Sequence, residues 1–384
     1  MVWQMNILNL VTWYDDYKKY NKAGIFHKEL AILLKNNGIN VSICYPFDNI
    51  DKNNINKFDE EGVIVYRYKN INVGNFFNKT YKFIKFLFDF RYVIKDFKPD
   101  VIHAHVGRVA GFYAYLLSII YKIPYMVSEH APVDQLGLNR FLVSIKNRIV
   151  YKNSKFNTCC SDYNYGLLSN KFRDINFMVL YNPVVIDYKV LDASKKYFVD
   201  GYVNCCIVGS FYNKLIKGYQ YLLPAIKELK NNGYKIIVHI IGDGEYFNYY
   251  KNLANELDVL DICMFYGNCS RAKTFNIMNQ MNFCLSVSLH ESAGIFCEES
   301  MTLGKPLLVT KSGGANSLCN ERAAYIIDKG SSEQIYDGLI YMINNFENFD
   351  YEYIKQYANE KFGSNAIIKK YIDIYNSIMN SLGE

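Results

Sequence analysis

The sequence has no apolar run of the roughly 18–20 residues that a helix needs to cross a bilayer. The longest candidate, Val109–Tyr121, is shorter than that and is followed by Lys122 and Pro124, which favours a buried helix. Residues 1–13 show neither the basic start nor the small-residue cleavage site of a secretion signal. We therefore expect a cytoplasmic protein.

Patterns typical of metal sites are missing as well. The ten cysteines include the adjacent pairs Cys159–Cys160 and Cys205–Cys206 but no C-x-x-C spacing. In a long chain without a secretion signal, we expect reduced and mostly buried thiols. His103 and His105 have no third ligand at metal spacing, and no D-x-D follows an apolar strand. The sequence therefore predicts no bound metal.

The overall composition is that of a globular chain with two domains. The chain has 384 residues, of which 50% are hydrophobic and 21% are charged. At roughly 100–200 residues for a domain, this length predicts two domains, each able to bury a core. No internal repeat at solenoid spacing is present.

Positive charge is concentrated in the first half of the chain. Residues 1–187 carry 24 basic and 16 acidic side chains, whereas the whole chain has a net charge of +6. Two segments, Lys79–Lys98 and Asn139–Lys155, interleave aromatic residues with lysine and arginine. Such segments are typical of helices on an anionic membrane surface and also of ordinary surface helices, so both interpretations stay open.

Apolar runs alternate with helical patterns along the whole chain. The predicted strands are Asn6–Val11, Asn40–Tyr45, Val63–Tyr68, Asp100–His105, Pro124–Ser128, Lys155–Cys160, Tyr202–Val208, Lys235–Ile241, Ile262–Tyr266, Phe283–Ser286 and Pro306–Thr310. The predicted helices are Phe26–Asn37, Ala110–Tyr121, one from Asp162, Tyr219–Asn231, Tyr246–Glu256, Ala272–Asn279, Cys297–Leu303, Ser332–Asn345 and Tyr351–Ser381. This alternation predicts parallel sheets with helices on both faces. The best hinge is Asn182–Ala193, where a new series begins.

The strongest motif, HESAGIFCEESMTLGKP from His290, follows the strand Phe283–Ser286. A helix preceded by small residues presents free backbone N–H groups, which suit a diphosphate. Glu299, in the first turns, can accept two hydrogen bonds from a ribose diol, and Glu291 can reach hydroxyls of an attached sugar. We expect Glu298 to face solvent or to cap the helix.

This motif, extended to HESAGIFCEESMTLGKPLLVTKSGG, resembles the donor-binding signature of retaining GT-B enzymes in glycosyltransferase family 4. Further stretches resemble the same family in the same order, over nearly the whole chain. They are KAGIFHK from Lys22, VSEH from Val127, YNPVVID from Tyr181, VGSFYNKLIKGYQYLL from Val208 and IIGDGE from Ile240.

The resemblance implies two Rossmann-like, doubly wound α/β domains facing each other across a cleft. We expect an acceptor-binding domain at 1–187 and a nucleotide-sugar-binding domain at 188–366, with Ile367–Glu384 packing back on the first. The implied reaction is retaining, metal-independent transfer of a hexose from a nucleotide diphosphate to a saccharide acceptor. We expect that acceptor to be lipid-linked and to belong to bacterial surface-polysaccharide synthesis, with no cofactor and no nucleic-acid partner. The basic first domain could then attach to the inner membrane surface.

Residue roles follow from the same resemblance. His130, Lys217 and Glu291 are the implied catalytic residues. The implied donor-binding residues are Gly24, Ser210, Lys214, Lys217, Glu291, Ser292, Ala293, Gly294, Ile295 and Glu299. Ser210 stands where the family usually has arginine, and Lys214 is expected to compensate from the same loop. Residues 268–273, NCSRAK, are expected to approach the base.

Two other functions are compatible with this pattern. One is a nucleotide-sugar epimerase of similar fold, which would need acid and base side chains in the cleft. The other is a non-catalytic, nucleotide-binding scaffold subunit, which only Ser210 favours. Glu291, Glu299, Lys217 and His130 together argue against the scaffold, because a catalytically dead copy has no reason to keep all four.

Overall fold

The computed structural model describes residues 4–14, 24–48, 55–69, 75–130, 141–192 and 194–381. The chain divides into two compact units. The first comprises Met1–Cys160, Asn164–Pro183 and Ile367–Glu384, and the second comprises Ser161–Tyr163 and Val184–Ala366. The main change of unit, at Pro183–Val184, lies within the segment Asn182–Ala193.

The first unit is built on a sheet of eight described strands. They are β1 Asn6–Leu10, β2 Asn40–Asp48, β3 Asn56–Glu60, β4 Val63–Lys69, β5 Val101–His105, β6 Tyr125–Glu129, β7 Asn157–Cys159 and β8 Met178–Val179. Their order is β3-β4-β2-β1-β5-β6-β7-β8, and all neighbours are parallel except the antiparallel pair β3–β4. Every residue of β5 and β6 is buried, as expected for central strands covered on both faces.

Helices cover this sheet. They are α1 Ile25–Asn36, α2 Phe76–Asp89, α3 Arg91–Asp96, α4 Phe112–Tyr121, α5 Phe141–Asn153 and α6 Asp162–Lys171, with a π-helix at Gly107–Gly111 before α4. α2 begins at Asn75, whose side chain accepts a hydrogen bond from the backbone N–H of Asn78 at 2.9 Å. No helix within the described residues is long and apolar enough to cross a membrane.

The second unit contains a parallel sheet of six described strands in the order β11-β10-β9-β12-β13-β14. They are β9 Val203–Val208, β10 Ile236–Ile241, β11 Cys263–Gly267, β12 Phe283–Ser286, β13 Leu307–Thr310 and β14 Ala324–Ile327. The helices of this unit are α7 Tyr219–Asn231, α8 Phe247–Glu256, α9 Arg271–Asn279, α10 Ile295–Thr302, α11 Gly314–Leu318, α12 Ser332–Asn345 and α13 Tyr351–Phe362. The last helix, α14 Ser364–Asn380, belongs to the first unit from Ile367 onward. The predicted α/β class with two parallel sheets is confirmed.

The end of the chain differs from the prediction of one helix over Tyr351–Ser381. α13 and α14 are separated at Gly363, which pairs with Val184 in an isolated bridge. The N–H of Val184 donates to the carbonyl oxygen of Phe362 at 3.0 Å. Helical periodicity alone did not reveal this break, although Gly363, which follows α13, is a residue type that often ends a helix.

The cysteines are free thiols, as predicted. Nine of the ten are buried, and Cys319 is half-buried. Burial raises the pKa of six of these thiols, including that of Cys319 to about 12, which keeps them protonated.

A cluster of four buried histidines lies in the core of the first unit. The ring of His105 is centred 4.1 Å from that of His103, 4.4 Å from that of His27 and 5.1 Å from that of His130. His103 also shares hydrogen bonds with the hydroxyl of Tyr375 on α14, at 2.8 Å, and with that of Ser128, at 2.7 Å. α14 is thereby anchored to the sheet of the first unit.

Burial lowers the pKa of all four histidines, to about 3 for His103 and about 4 for His130. The neutral rings are therefore favoured in the folded state, whereas the unfolded chain binds protons near pH 6.5. Stability from these histidines is present above that pH and is lost as the pH falls towards the folded-state values.

We therefore expect the melting temperature of the first unit to fall between about pH 6.5 and pH 4. Each histidine contributes a slope of about 1.4 kcal/mol per pH unit in this window. His103→Gln should reduce the slope whatever it does to absolute stability, because it removes one group that titrates on unfolding. Thermal unfolding at a series of pH values measures this, and equal slopes in the two proteins would contradict the assignment.

Candidate active site

The loop between β12 and α10 is held in a shape that allows only small residues at key points. Gly294, which precedes α10, has φ +90°, and a Cβ there would lie 2.8 Å from the Cα of Ala315. A Cβ on Gly314 would lie 2.2 Å from the carbonyl oxygen of Ser292. Gly294 brings no capping side chain to the N-terminus of α10, whose first residues line a cavity, so its N–H groups are suited to an anion.

Backbone hydrogen bonds fasten this loop to the turn after β13. The N–H of Glu291 donates to the carbonyl oxygen of Ser312 at 2.9 Å, and the N–H of Gly314 donates to the carbonyl oxygen of Glu291 at 2.7 Å. The turn at Gly313–Gly314 therefore supports this loop through backbone hydrogen bonds. The Glu291 side chain is thereby fixed at its base.

Lys217 and Glu291 form the central ion pair. The Lys217 Nζ lies 2.5 Å from the Glu291 Oε1, and the Ser288 hydroxyl donates to the same oxygen at 2.7 Å. The Lys217 loop is seated by Gly218, which has φ +76° and whose Cβ would lie 2.0 Å from the carbonyl oxygen of Val287. The Lys217 ammonium is therefore positioned both by the backbone contact of Gly218 with Val287 and by its ion pair with Glu291.

A cavity of about 210 Å³ opens beside this pair. The predicted site residues that line it are Lys217, Glu291, Ser292, Ala293, Gly294 and Ile295, together with Ser288, which was not predicted. A lysine, a carboxylate and the free N–H groups of a helix start are the groups that a sugar diphosphate requires. The geometry therefore supports an anion-binding site with a carboxylate at its edge.

Glu299 lies deeper, with 5% of its side chain exposed, and its Oε1 pairs with the Nη1 of Arg271 on α9. Burial raises the pKa of the Glu299 carboxyl, while the guanidinium opposes that shift. Arg271 falls within the stretch NCSRAK, but sequence reasoning did not single it out. The clue available was its position at the start of a helix following β11.

The expectation for Glu298 was wrong. Its side chain is fully buried, and neither carboxyl oxygen has a hydrogen-bond partner among the described residues. α10 packs between its sheet and α13, so no side of this helix is left for solvent. Burial, and then the charge of Glu299, raises the pKa of Glu298 well above its usual range, which favours the protonated form.

Ser210 and Lys214 do not line the cavity. Ser210 is exposed just beyond β9, and the Lys214 ammonium lies 4.0 Å from the ring centroid of Tyr249 on α8. The carbonyl oxygen of Lys214 also accepts a hydrogen bond from Tyr250. Compensation by Lys214 for the missing arginine therefore stays a prediction.

The predicted site residues of the first unit, Gly24 and His130, follow β1 and β6 in the chain. Gly24 has φ +79° at the start of α1, and a Cβ there would lie 2.7 Å from the carbonyl oxygen of Trp13. His130 is 8% exposed, and its Nε2 shares a hydrogen bond with the Nδ1 of His105 at 2.9 Å. Part of the glycine loop, at 15–23, and the residues 131–140 after His130 lie outside the described residues.

Metal binding was tested against the geometry of the described ranges. No group of three or more histidine, cysteine, aspartate or glutamate side chains there is placed to hold an ion. Asp15 and Asp16 lie outside those ranges. Metal independence of the reaction therefore stays a prediction.

Comparison with known proteins agrees with this architecture. Residues 23–188 match the family described as Glycosyltransferase Family 4, and residues 194–361 match Glycosyl transferases group 1. An uncharacterized glycosyltransferase of Methanocaldococcus jannaschii is 24% identical over 292 residues, covering 73% of this chain and 77% of the relative.

Solved structures show the same fold. Sucrose-phosphate synthase from Thermosynechococcus elongatus has a TM-score of 0.79 at 12% identity, covering 98% of this chain and 100% of that one. HepE of Anabaena in complex with UDP-glucose has a TM-score of 0.72 at 15% identity, covering 97% and 100%. The chain therefore has the GT-B fold. With both family matches and the site geometry, the protein is a glycosyltransferase.

Gly218→Ala tests whether the close contact of Gly218 with the Val287 carbonyl positions the loop that carries Lys217. We expect a loss of at least about 2 kcal/mol in the free energy of unfolding, because the new Cβ would meet the Val287 carbonyl at 2.0 Å. The matched control is Gly233→Ala, which has nearly the same φ, +77°, but nothing within 4 Å, and should lose only about 1 kcal/mol. Denaturant unfolding measures both, and equal losses would contradict the steric argument.

Proposed function

We propose that the protein is a retaining, metal-independent hexosyltransferase of glycosyltransferase family 4. It moves a sugar from a nucleotide diphosphate donor to a lipid-linked saccharide acceptor in bacterial surface-polysaccharide synthesis. The observation that carries the proposal is the Lys217–Glu291 pair beside the uncapped start of α10. The UDP-glucose complex of the Anabaena neighbour supports a nucleotide-sugar donor.

The second unit holds the donor in this proposal. The diphosphate takes the N–H groups of Ala293–Ile295 and the Lys217 ammonium, and Glu291 accepts a hydrogen bond from a sugar hydroxyl. Because Glu291 and the diphosphate both attract Lys217, donor binding places the cation between two anionic groups. Glu299 accepts hydrogen bonds from the ribose with its carboxylate braced by Arg271.

Transfer needs no protein nucleophile in this scheme. The bond between the anomeric carbon and the diphosphate oxygen breaks, and the acceptor oxygen forms a bond to that carbon on the same face. The acceptor proton passes to the departing diphosphate, which leaves as the nucleoside diphosphate. Lys217 and the helix N–H groups stabilise the charge that develops on this leaving group. His130, in the first unit, stays the proposed contact to the reacting centre.

Lys217→Ala tests the donor site. We expect the wild-type protein to release nucleotide slowly from one member of a panel of UDP-, GDP-, ADP- and dTDP-sugars. The variant should be about 100-fold slower, because the leaving diphosphate loses its cation. Glu299→Ala should weaken nucleotide binding, and Lys227→Ala, a lysine on the surface of α7, should change neither.

Three results separate the candidate functions. Absence of both nucleotide release and a thermal shift with any nucleotide would reject the donor site. Nucleotide binding with no transfer to any acceptor would favour the scaffold. A rearranged nucleotide-sugar as product would identify an epimerase.

The surface of the first unit supports a membrane-bound acceptor. On α2, Phe77, Tyr81, Ile84 and Phe88 are 80%, 64%, 47% and 68% exposed, at a spacing that places them on one helix face. A solvent-facing apolar stripe beside lysines is typical of a helix that lies in a membrane interface. Of the two interpretations of the basic segments, this geometry favours the membrane surface over an ordinary surface helix.

The double change Phe77→Ser and Phe88→Ser tests this surface. We expect binding to vesicles of phosphatidylcholine and phosphatidylglycerol to fall at least about tenfold, because two large apolar side chains no longer enter the interface. Phe198→Ser, at a phenylalanine 40% exposed in the second unit, is the control. Cosedimentation with vesicles measures binding, and an unchanged bound fraction in the double variant would contradict the assignment.

A further inference from the structure

A second cavity, of about 530 Å³, lies wholly within the first unit and is separate from the proposed donor site. It is bordered by α2, the π-helix Gly107–Gly111, α4 and α5. Its walls are mostly aromatic or aliphatic, and they include Phe83, Phe112, Tyr113 and Val143. Two cations, Arg108 and Lys146, complete the lining.

These two cations have no acidic partner within the described residues. Both are half-buried, and no carboxylate lies within salt-bridge distance of either among the residues that the structure describes. The Lys146 Nζ lies 3.7 Å from the ring centroid of Phe112. Burial, and then the charge of Arg108, lowers the pKa of Lys146. Two like charges on an apolar wall are unfavourable until an anion joins them.

The framework that carries the cations is held by one buried carboxylate. Glu129, at the end of β6, accepts hydrogen bonds from the N–H of Gly107 at 3.0 Å and from the hydroxyl of Tyr151 at 2.8 Å. The first contact fixes the π-helix that bears Arg108, and the second fixes α5, which bears Lys146. A Cβ on Gly107 would lie 2.4 Å from the Tyr151 ring, so the two elements are in close contact.

The cavity also lies at the ligand-binding edge of the sheet. Arg108 follows the carboxyl end of β5, and His130 follows that of the neighbouring β6. In open parallel sheets, ligands bind beyond these ends. His105, the last residue of β5, shares a hydrogen bond with His130. The cation pair therefore lies on the same edge as the residue assigned to the reacting centre.

The helices that line the cavity also carry exposed apolar side chains. α2 contributes the stripe of Phe77, Tyr81, Ile84 and Phe88, and α5 begins with Phe141 and Leu142, which are 76% and 78% exposed. The same region thus combines a half-buried cation pair with an apolar surface open to solvent. A ligand that matches both has an anionic head and a hydrocarbon chain.

We propose that this cavity binds the diphosphate of a prenyl-diphosphate-linked acceptor, with Arg108 and Lys146 contacting the diphosphate and the chain lying along α2 and α5. The inference rests on the lipid-linked acceptor of the proposed function and gives that acceptor a site. Two cations without a carboxylate partner in the described part of the chain match a diphosphate diester, which carries two negative charges. A phospholipid phosphodiester carries one, so charge favours the diphosphate.

Farnesyl diphosphate is a soluble probe for this site, used with the full chain in a calorimetric titration. We expect the double variant Arg108→Gln with Lys146→Gln to bind it at least about tenfold more weakly, because two charge-assisted contacts are lost. The matched control is Lys369→Gln with Lys370→Gln, which removes two exposed lysines of α14 in the same unit and should bind as the wild type does. Lys146→Arg keeps the charge and should retain binding.

Folding of the double variant is checked by its melting temperature. We expect no decrease, because the change removes a repulsive pair rather than a salt bridge. Inorganic pyrophosphate and farnesol should each bind more weakly than farnesyl diphosphate. Pyrophosphate can contact only the cations, and farnesol can contact only the apolar surface.

Unchanged affinity of a folded double variant would overturn the proposal, as would equally tight binding of pyrophosphate. Displacement of farnesyl diphosphate by phosphatidylglycerol at equal concentration would assign the site to a bilayer headgroup and would overturn it too. Failure of the wild-type protein to bind farnesyl diphosphate, with its nucleotide release intact, would reject this site and leave the proposed transferase standing.

Discussion

The candidate donor site depends on backbone segments that meet too closely for a side chain to fit between them. Gly218 rests against the carbonyl of Val287, and Gly314 rests against that of Ser292, with no room for a Cβ at either point. These contacts bring the ends of β9, β12 and β13 together: the segments after β9 and β12 line the cavity, and the turn after β13 supports the loop that follows β12. The charged groups can stay few because the backbone fixes their positions before any ligand arrives.

The sequence predicted the features that repeat locally. Alternating apolar runs located most strands, and the small residues before Glu299 located the start of α10 within two residues. The short edge strands β3, β8 and β14 were missed, because their few apolar residues carry no period of their own. The resemblance supplied residue roles, and Lys217, Glu291 and the loop 292–295 do meet at one cavity.

What periodicity cannot supply is the identity of a neighbour that is distant in sequence. Glu298 looked like a surface residue because a glutamate beside a glutamate usually is one, but α13 covers that face of α10. The partner of Glu299 is equally nonlocal, since Arg271 comes from another helix and lies 28 residues away. Both cases concern buried acids, whose states are set by tertiary packing rather than by local pattern.

The cations of the two candidate sites differ in whether they have carboxylate partners. In the second unit, Lys217 and Arg271 already have carboxylate partners. A donor must share or replace these ion pairs, so its binding free energy gains only what the new ion pairs add over the existing ones. In the first unit, Arg108 and Lys146 have no such partner among the described residues, so an anion there relieves a repulsion. Each negative charge of a ligand should therefore contribute more binding free energy at Arg108 and Lys146 than at Lys217 and Arg271. That asymmetry fits the proposed acceptor, a diphosphate on a lipid, better than it fits a nucleotide that must leave after each transfer.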